Sequence, residues 1–193
     1  MSPWADSLYA IIDAEAARRP IELMRTALSS GCAMLQLRGK RLDDRTFLEL
    51  ANEARAACHE AEVPLVINDR ADIASMVRAD GLHLGQDDLR VRDARLIVGN
   101  MQIGVSTHSL EQAAQADRDG ADLIAFGPVF DTTTKDNPDP VVGVPQLRRV
   151  CRAVSRPVIA IGGITPENAG ETLTAGARFV AVISALPRFF EAR

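Results

Sequence analysis

Four times along this chain a helix-forming stretch closes on glycine and a short apolar run follows at once. Gly31 precedes the run at 34–37, Gly81 the run at 82–84, Gly120 the run at 123–126 and Gly176 the run at 179–183. Glycine just past a helix takes the left-handed conformation that ends it, so each of these reads as a helix-to-strand turn. Pro64 and Pro157 open two further apolar runs, at 65–67 and 158–161, and proline is tolerated at the first position of a strand. Runs at 8–12 and 102–105 bring the candidate strands to eight, separated by helical stretches such as 46–62, 109–118 and 146–154.

Strict alternation of strand and helix calls for a parallel sheet with helices outside it. The strands are almost continuously apolar, as expected when both faces are covered. Eight units predict closure into an α/β (β/α)8 TIM barrel. With 193 residues this is one compact domain over 1–193, and the helix after Ala185 must be short. An open doubly wound sheet is the architectural alternative.

The bulk properties narrow the partners. A net charge of −4 offers no basic face for nucleic acid. No stretch is apolar for long enough to span a bilayer, and the first residues lack the pattern of a secretory leader, so a cytoplasmic protein is expected. Cys32, Cys58 and Cys151 are odd in number and far apart, which excludes a zinc knuckle or disulfide framework and fits a reducing compartment. Nothing in the sequence speaks against a homo-oligomer.

In a parallel barrel the loops that follow the strands form the active face. Polar residues gather there: Gln36, Arg38 and Lys40 after the second strand, Asn68, Asp69 and Arg70 after the third, Gln86, Asp87 and Asp88 after the fourth. Ser106, Thr107 and His108 follow the fifth, a polar loop the sixth, Gly162 and Gly163 the seventh, and Ser184 the eighth. The opposite turns are mostly plain glycine caps, so this asymmetry predicts a ligand site. Glycines after strand seven let backbone N–H groups approach an anion, where this fold usually cradles phosphate; a simple turn before Pro166 is the plainer alternative. Arg38, Lys40 and Lys135 are three cations at the same mouth, implying a second anionic group. Asp69 and Asp88 face them, and a few hard oxygen ligands beside phosphates are how proteins hold Mg²⁺; as an alternative they could cap the helices that follow. His59 is expected on an exposed helix face and His83 packed within a strand, while His108 stands at the rim.

The same residues carry a resemblance. Leu8-Tyr9-Ala10-Ile11-Ile12-Asp13, Gln36-Leu37-Arg38-Gly39-Lys40, Ile67-Asn68-Asp69-Arg70 and Gly81-Leu82-His83-Leu84-Gly85-Gln86-Asp87-Asp88 are followed by Gly104-Val105-Ser106 and Gly127-Pro128-Val129-Phe130. Thr132-Thr133-Thr134-Lys135, Ile161-Gly162-Gly163-Ile164 and Ile183-Ser184-Ala185 complete the series. In this order and spacing the chain resembles the thiamine-phosphate synthase family over residues 8–186. The resemblance implies a Mg²⁺-dependent transferase that joins a pyrimidine diphosphate to a thiazole phosphate. By that likeness Gln36 and Asn68 hold the aminopyrimidine, Arg38, Lys40 and Lys135 its diphosphate, and Asp69 and Asp88 the metal. Ser106 contacts the reacting region, forming with Arg38 and Lys135 the catalytic set, and Thr132, Thr134, Gly163, Ile183 and Ser184 place the thiazole phosphate. The family's reaction is dissociative: a pyrimidine cation is captured by the thiazole nitrogen, which needs positioning and dryness more than a general base. The loop at 131–139 is a candidate lid.

Three positions depart from the family pattern. Gly39 stands where an acidic residue is frequent, Asp131 where proline commonly precedes the threonine run, and Ile12 where threonine is common. Two rival functions share this fold. A thiazole tautomerase would need a proton-transfer residue such as His108 and not both carboxylates, and a non-catalytic phosphate-ligand-binding paralogue should have lost cations or carboxylates that are all retained here.

Overall fold

The computed structural model describes residues 4, 6–132 and 140–191. Eight strands alternate with eight helices among these residues: β1 Leu8–Asp13, α1 Pro20–Ser29, β2 Met34–Arg38, α2 Asp44–Glu60, β3 Leu65–Asn68, α3 Ala71–Met76, β4 Gly81–Leu84 and α4 Val91–Val98. β5 Gln102–Thr107, α5 Leu110–Arg118, β6 Leu123–Phe126, α6 Gly143–Ala153, β7 Val158–Ile161, α7 Pro166–Thr174, β8 Phe179–Val182 and α8 Leu186–Glu191 complete the order. Every strand pairs in parallel with the next, and β8 returns to β1 through Tyr9 opposite Ala181, so the barrel is closed. α8 is short, as the sequence requires. No described helix is long and apolar enough to cross a membrane.

Strand alternation divides the core in two. Leu8, Ala10, Ile12, Leu35, Leu37, Leu65, Ile67, Leu82, Ile103, Ile124, Ala160 and Val180 face outward into the layer shared with the helices. The other parity, Tyr9, Ile11, Met34, Val66, Leu123, Ala125, Ile159 and Ala181, fills the barrel interior. Residues of this inner parity nearer the C-terminal ends of β1 to β5 are Asp13, Gln36, Arg38, Asn68, His83 and Ser106. The interior is therefore apolar below and polar at its upper mouth.

Local chemistry explains the outer layer. Helix α2 starts where the Asp43 carboxylate accepts the Thr46 N–H at 3.0 Å, and it buries Phe47, Ala51, Ala54 and Cys58 along one stripe. Ser109 caps α5 in the same way through the Gln112 N–H. Gly31, Gly120 and Gly176 have φ of 78°, 83° and 113°, the left-handed turns expected of them. Gly81 does not: it opens β4, and the left-handed residue after α3 is Arg78 at φ 52°.

Two aspartates lace the lower rim. Asp80 Oδ2 accepts from the Leu65 N–H at 2.9 Å and from Arg55 at 2.6 Å. Asp122 Oδ2 accepts from the Ile103 N–H at 2.9 Å and from Arg95 at 2.8 Å. An Asp122→Ala variant strands the N–H of a fully buried strand residue. It should lose about 1–3 kcal/mol of stability, read as a lower urea midpoint with an unchanged slope.

Candidate active site

At the end of β1 and β2, Asp13 and Arg38 stand opposite each other in register. The Arg38 guanidinium donates to Asp13 Oδ2, while Asp13 Oδ1 accepts from the N–H groups of Glu15 and Ala16 at 3.1 and 3.2 Å. This clamp fixes the arginine at the mouth, with about a quarter of its side chain exposed. A second pair ties the same two loops, as Glu15 accepts from the Arg41 backbone N–H and from its Nε at 3.0 Å. One layer down, Gln36 is buried and donates its amide Nε2–H to Tyr9 Oη at 2.7 Å.

Asp69, just after β3, lies in the left-handed region at φ 63°, a conformation uncommon outside glycine that Asp tolerates. Its N–H donates to the His83 carbonyl at 2.8 Å, and its carboxylate lies 3.2 Å from Lys40 Nζ. Burial, with the neighbouring Asp88 carboxyl within hydrogen-bonding reach, pushes Asp69 up to about 6 against the pull of Lys40. Asp88 is itself fixed by the Gly85 N–H at 2.7 Å. Neither aspartate caps a helix: α3 begins after Arg70 and α4 after Arg90. The two carboxylates lie side by side and partly buried, and a cation between them would neutralise the charge they bring together. Among the described residues no third His, Cys, Asp or Glu joins them in a metal-binding group. That donor set fits Mg²⁺, which retains waters and takes one or two carboxylates beside phosphate oxygens.

Across the mouth, His83 Nε2 meets Ser106 Oγ at 2.9 Å, and Gln86 Nε2 donates to the Ser106 carbonyl at 2.6 Å. His83 is buried as the sequence suggests, yet it is joined to a site residue. Gly104 makes room for it, since a Cβ there would stand 2.8 Å from His83 Nδ1. Asn68 is buried beside it, paired in register with His83. His108 donates Nδ1–H to the Gly127 carbonyl at 2.6 Å, tying β5 to the end of β6.

The far side of the mouth is built by backbone packing. The Val129 and Phe130 N–H groups donate to the carbonyls of Ile161 and Gly162 at 2.9 and 3.0 Å. A Cβ on Gly127 would overlap the Ile161 carbonyl, and one on Gly162 would overlap Pro128. Gly163, at φ 64°, lies against Phe130 and the Asp131 carbonyl, and its own carbonyl accepts from Asn168 Nδ2 at 3.0 Å. The two glycines after β7 therefore seat the 127–131 segment. Thr132 is half-buried where that segment leaves the barrel, Ile183 is half-buried, and Ser184 is exposed after β8. Thr134, Lys135 and most of the candidate lid lie outside the described residues.

The structure thus brings together Gln36, Arg38, Lys40, Asn68, Asp69, Asp88 and Ser106. It adds Tyr9, Asp13 and His83 as their partners, which alternation from the apolar inner residues could have flagged. Arg70 turns away, bonded to Asp72 at 2.6 and 2.9 Å and to Asp44 at 2.7 Å. Burial pushes the Cys32 and Cys58 thiols up to about 12, so neither is a nucleophile. A cavity of about 540 Å³ lies at the opposite end of the barrel, lined by residues such as Met34, Leu123, Pro157 and Phe179. Its two arginines are engaged elsewhere, Arg156 with Asp117 and Arg178 with the Asp6 carbonyl.

Comparison with known proteins agrees with the barrel fold. The family model for thiamine monophosphate synthase matches residues 8–186. A thiamine-phosphate synthase of Chloroflexus aurantiacus is 43% identical over 181 residues, covering 93% of this chain and 84% of that one. Another, from Methanocella arvoryzae, is 46% identical over 166 residues, covering 86% and 78%. Among solved structures, thiamine phosphate pyrophosphorylase from Pyrococcus furiosus superposes with a TM-score of 0.87 at 34% identity, covering 98% of this chain and 94% of the other. On these matches the chain belongs to the thiamine monophosphate synthase family, a family of transferases.

Proposed function

We propose that this chain condenses 4-amino-2-methyl-5-(diphosphomethyl)pyrimidine with 4-methyl-5-(2-phosphoethyl)thiazole, or its carboxylate, to thiamine phosphate and diphosphate in the presence of Mg²⁺. The observation that carries the reading is the meeting of Arg38, Lys40, Asp69 and Asp88 at one edge of a mouth floored by buried polar groups. Cations and paired carboxylates in contact suit a metal-bound diphosphate, and Gln36, Asn68 and Ser106 suit a flat polar heterocycle.

In this reaction the bond between the pyrimidine methylene and the diphosphate oxygen breaks, and its electron pair leaves with the diphosphate. The thiazole nitrogen lone pair then forms the new carbon–nitrogen bond, so no side chain has to remove a proton. Arg38, held by Asp13, and Lys40 stabilise the negative charge that grows on the leaving group. Lys135 joins them by family likeness. Asp69 and Asp88 would hold Mg²⁺, which would supply further neutralisation of the leaving group's charge. The Ser106 hydroxyl, fixed by His83, lies beside the reacting methylene, and the dry apolar floor below Gln36 keeps water from the cation. Thr132, Gly163, Ile183 and Ser184 line the side from which the thiazole phosphate approaches, and Thr134 is assigned to it by family likeness. The substrates are small molecules, and a cytoplasmic enzyme fits such chemistry.

The test is diphosphate release measured across a Mg²⁺ titration with both substrates present. Release should fall to background in EDTA, return on adding Mg²⁺ and require the thiazole phosphate. Release that is indifferent to EDTA would contradict the metal assignment.

A further inference from the structure

The loop that carries Lys40 is anchored from the neighbouring strand end. It leaves β2 at Arg38 and finishes where Asp43 caps α2. Between these fixed points its backbone is tied to Glu15, whose Oε1 accepts the Arg41 N–H. Among the described residues the other N–H groups of 39–42 make no hydrogen bond within the protein. The Arg41 N–H belongs to the planar peptide that joins Lys40 to Arg41, so this one bond fixes the backbone at the root of the Lys40 side chain. Glu15 is held in turn, because its own N–H donates at 3.1 Å to the Asp13 carboxylate that clamps Arg38. The Glu15 side chain is 14% exposed and stays ionised, since the Arg41 N–H above all holds it below the usual carboxylate range. Its second bond comes from Arg41 Nε, on a side chain that is 82% exposed, and such a pair contributes little in water.

We infer that Glu15 is a positioning residue for the leaving group: through the Arg41 main-chain N–H it holds the Lys40 backbone beside the Arg38–Asp13 clamp, so that the segment 13–15 sets both cations that meet the diphosphate. Lys40 has a long side chain, half exposed. Without the tie it ranges over more positions and meets the anion at greater entropic cost. The charge of Glu15 acts the other way, because a carboxylate near the mouth repels an anion. Position and charge therefore predict effects of opposite sign. This rests on the reading of Lys40 as a diphosphate-binding residue.

The experiment measures, by calorimetry, the dissociation constant of inorganic diphosphate with Mg²⁺ for the wild type, Glu15→Ala, Glu15→Gln and Arg41→Ala, together with the KM for the thiazole phosphate in turnover. Glu15→Ala should weaken diphosphate about tenfold and leave that KM unchanged. Glu15→Gln keeps an acceptor for the N–H, and Arg41→Ala keeps the N–H itself, so both should stay within about twofold of the wild type. Equal losses in Glu15→Ala and Arg41→Ala would reduce the contact to a surface ion pair and overturn the inference. Unchanged or tighter diphosphate binding in Glu15→Ala would overturn it too, as would a matching rise in the thiazole phosphate KM, the mark of a general loosening. In a Lys40→Met background Glu15→Ala should cost nothing further, and an undiminished cost there would count against the inference while the synthase reading stands. A wild type that binds no diphosphate would overturn both. Should Glu15→Ala fail to fold, the comparison is read in Glu15→Leu, which fills the space and accepts no hydrogen bond.

Discussion

An Asp69→Asn variant should lose about three orders of magnitude in turnover while remaining folded, the scale expected when a group that stabilises leaving-group charge is removed. The substitution keeps the shape of the side chain, and Asn, like Asp, accepts the left-handed backbone at φ 63°, where alanine would add strain. What is lost is one of the two carboxylates proposed to hold the metal, and the ion pair with Lys40. Stability should move the other way. Because the folded-state pKa is raised from 3.8 to about 6, the native state resists ionisation of this group. The stability associated with the protonated form is complete below about 3.8 and is lost as pH rises through about 6. In EDTA at pH 8 the variant should therefore melt at or above the wild-type temperature, and the difference should shrink as pH falls below 6. A variant that unfolds, or that retains its turnover, would remove Asp69 from the metal site.

Gly163→Ala is the second large effect. A Cβ there would run into the Asp131 carbonyl and stand 2.8 Å from Phe130 Cβ, at a φ that L-residues seldom adopt. The clash involves main chain on both sides, so no rotamer change relieves it. About 3 kcal/mol of destabilisation is expected, or a fall of roughly 6–12 °C in melting temperature for a domain of this size. The segment displaced leads directly to Thr132, so the KM for the thiazole phosphate should rise more than that for the pyrimidine. Gly170→Ala is the internal control. Nothing lies within 4 Å of that position in α7, and alanine there should be neutral or stabilising.

The barrel was legible because punctuation and apolar runs coincide. Gly31, Gly120 and Gly176 end helices, Pro64 and Pro157 precede strands, and the eight observed strands begin within a residue or two of the predicted runs. Gly81 misled as a helix terminator because Arg78 takes the left-handed position instead, and an arginine there carries no local signature. The described candidate residues lie at the expected ends of the strands because that follows from strand direction alone. Their pairings were not legible. Arg38 to Asp13, Gln36 to Tyr9 and His83 to Ser106 depend on which residues of separate strands come level in the barrel, and the stagger that decides this is a property of closure. The packing role of Gly162 and Gly163 was hidden for the same reason, since their close neighbours arrive from the loop after β6.

The most direct test is to incubate the purified chain with the pyrimidine diphosphate, the thiazole phosphate and Mg²⁺ and to identify the product by mass spectrometry. The account predicts thiamine phosphate in equal amount to the diphosphate released. A folded chain that binds the pyrimidine diphosphate but forms no thiamine phosphate would contradict it, leaving a tautomerase or a non-catalytic phosphate-ligand binder as the better account.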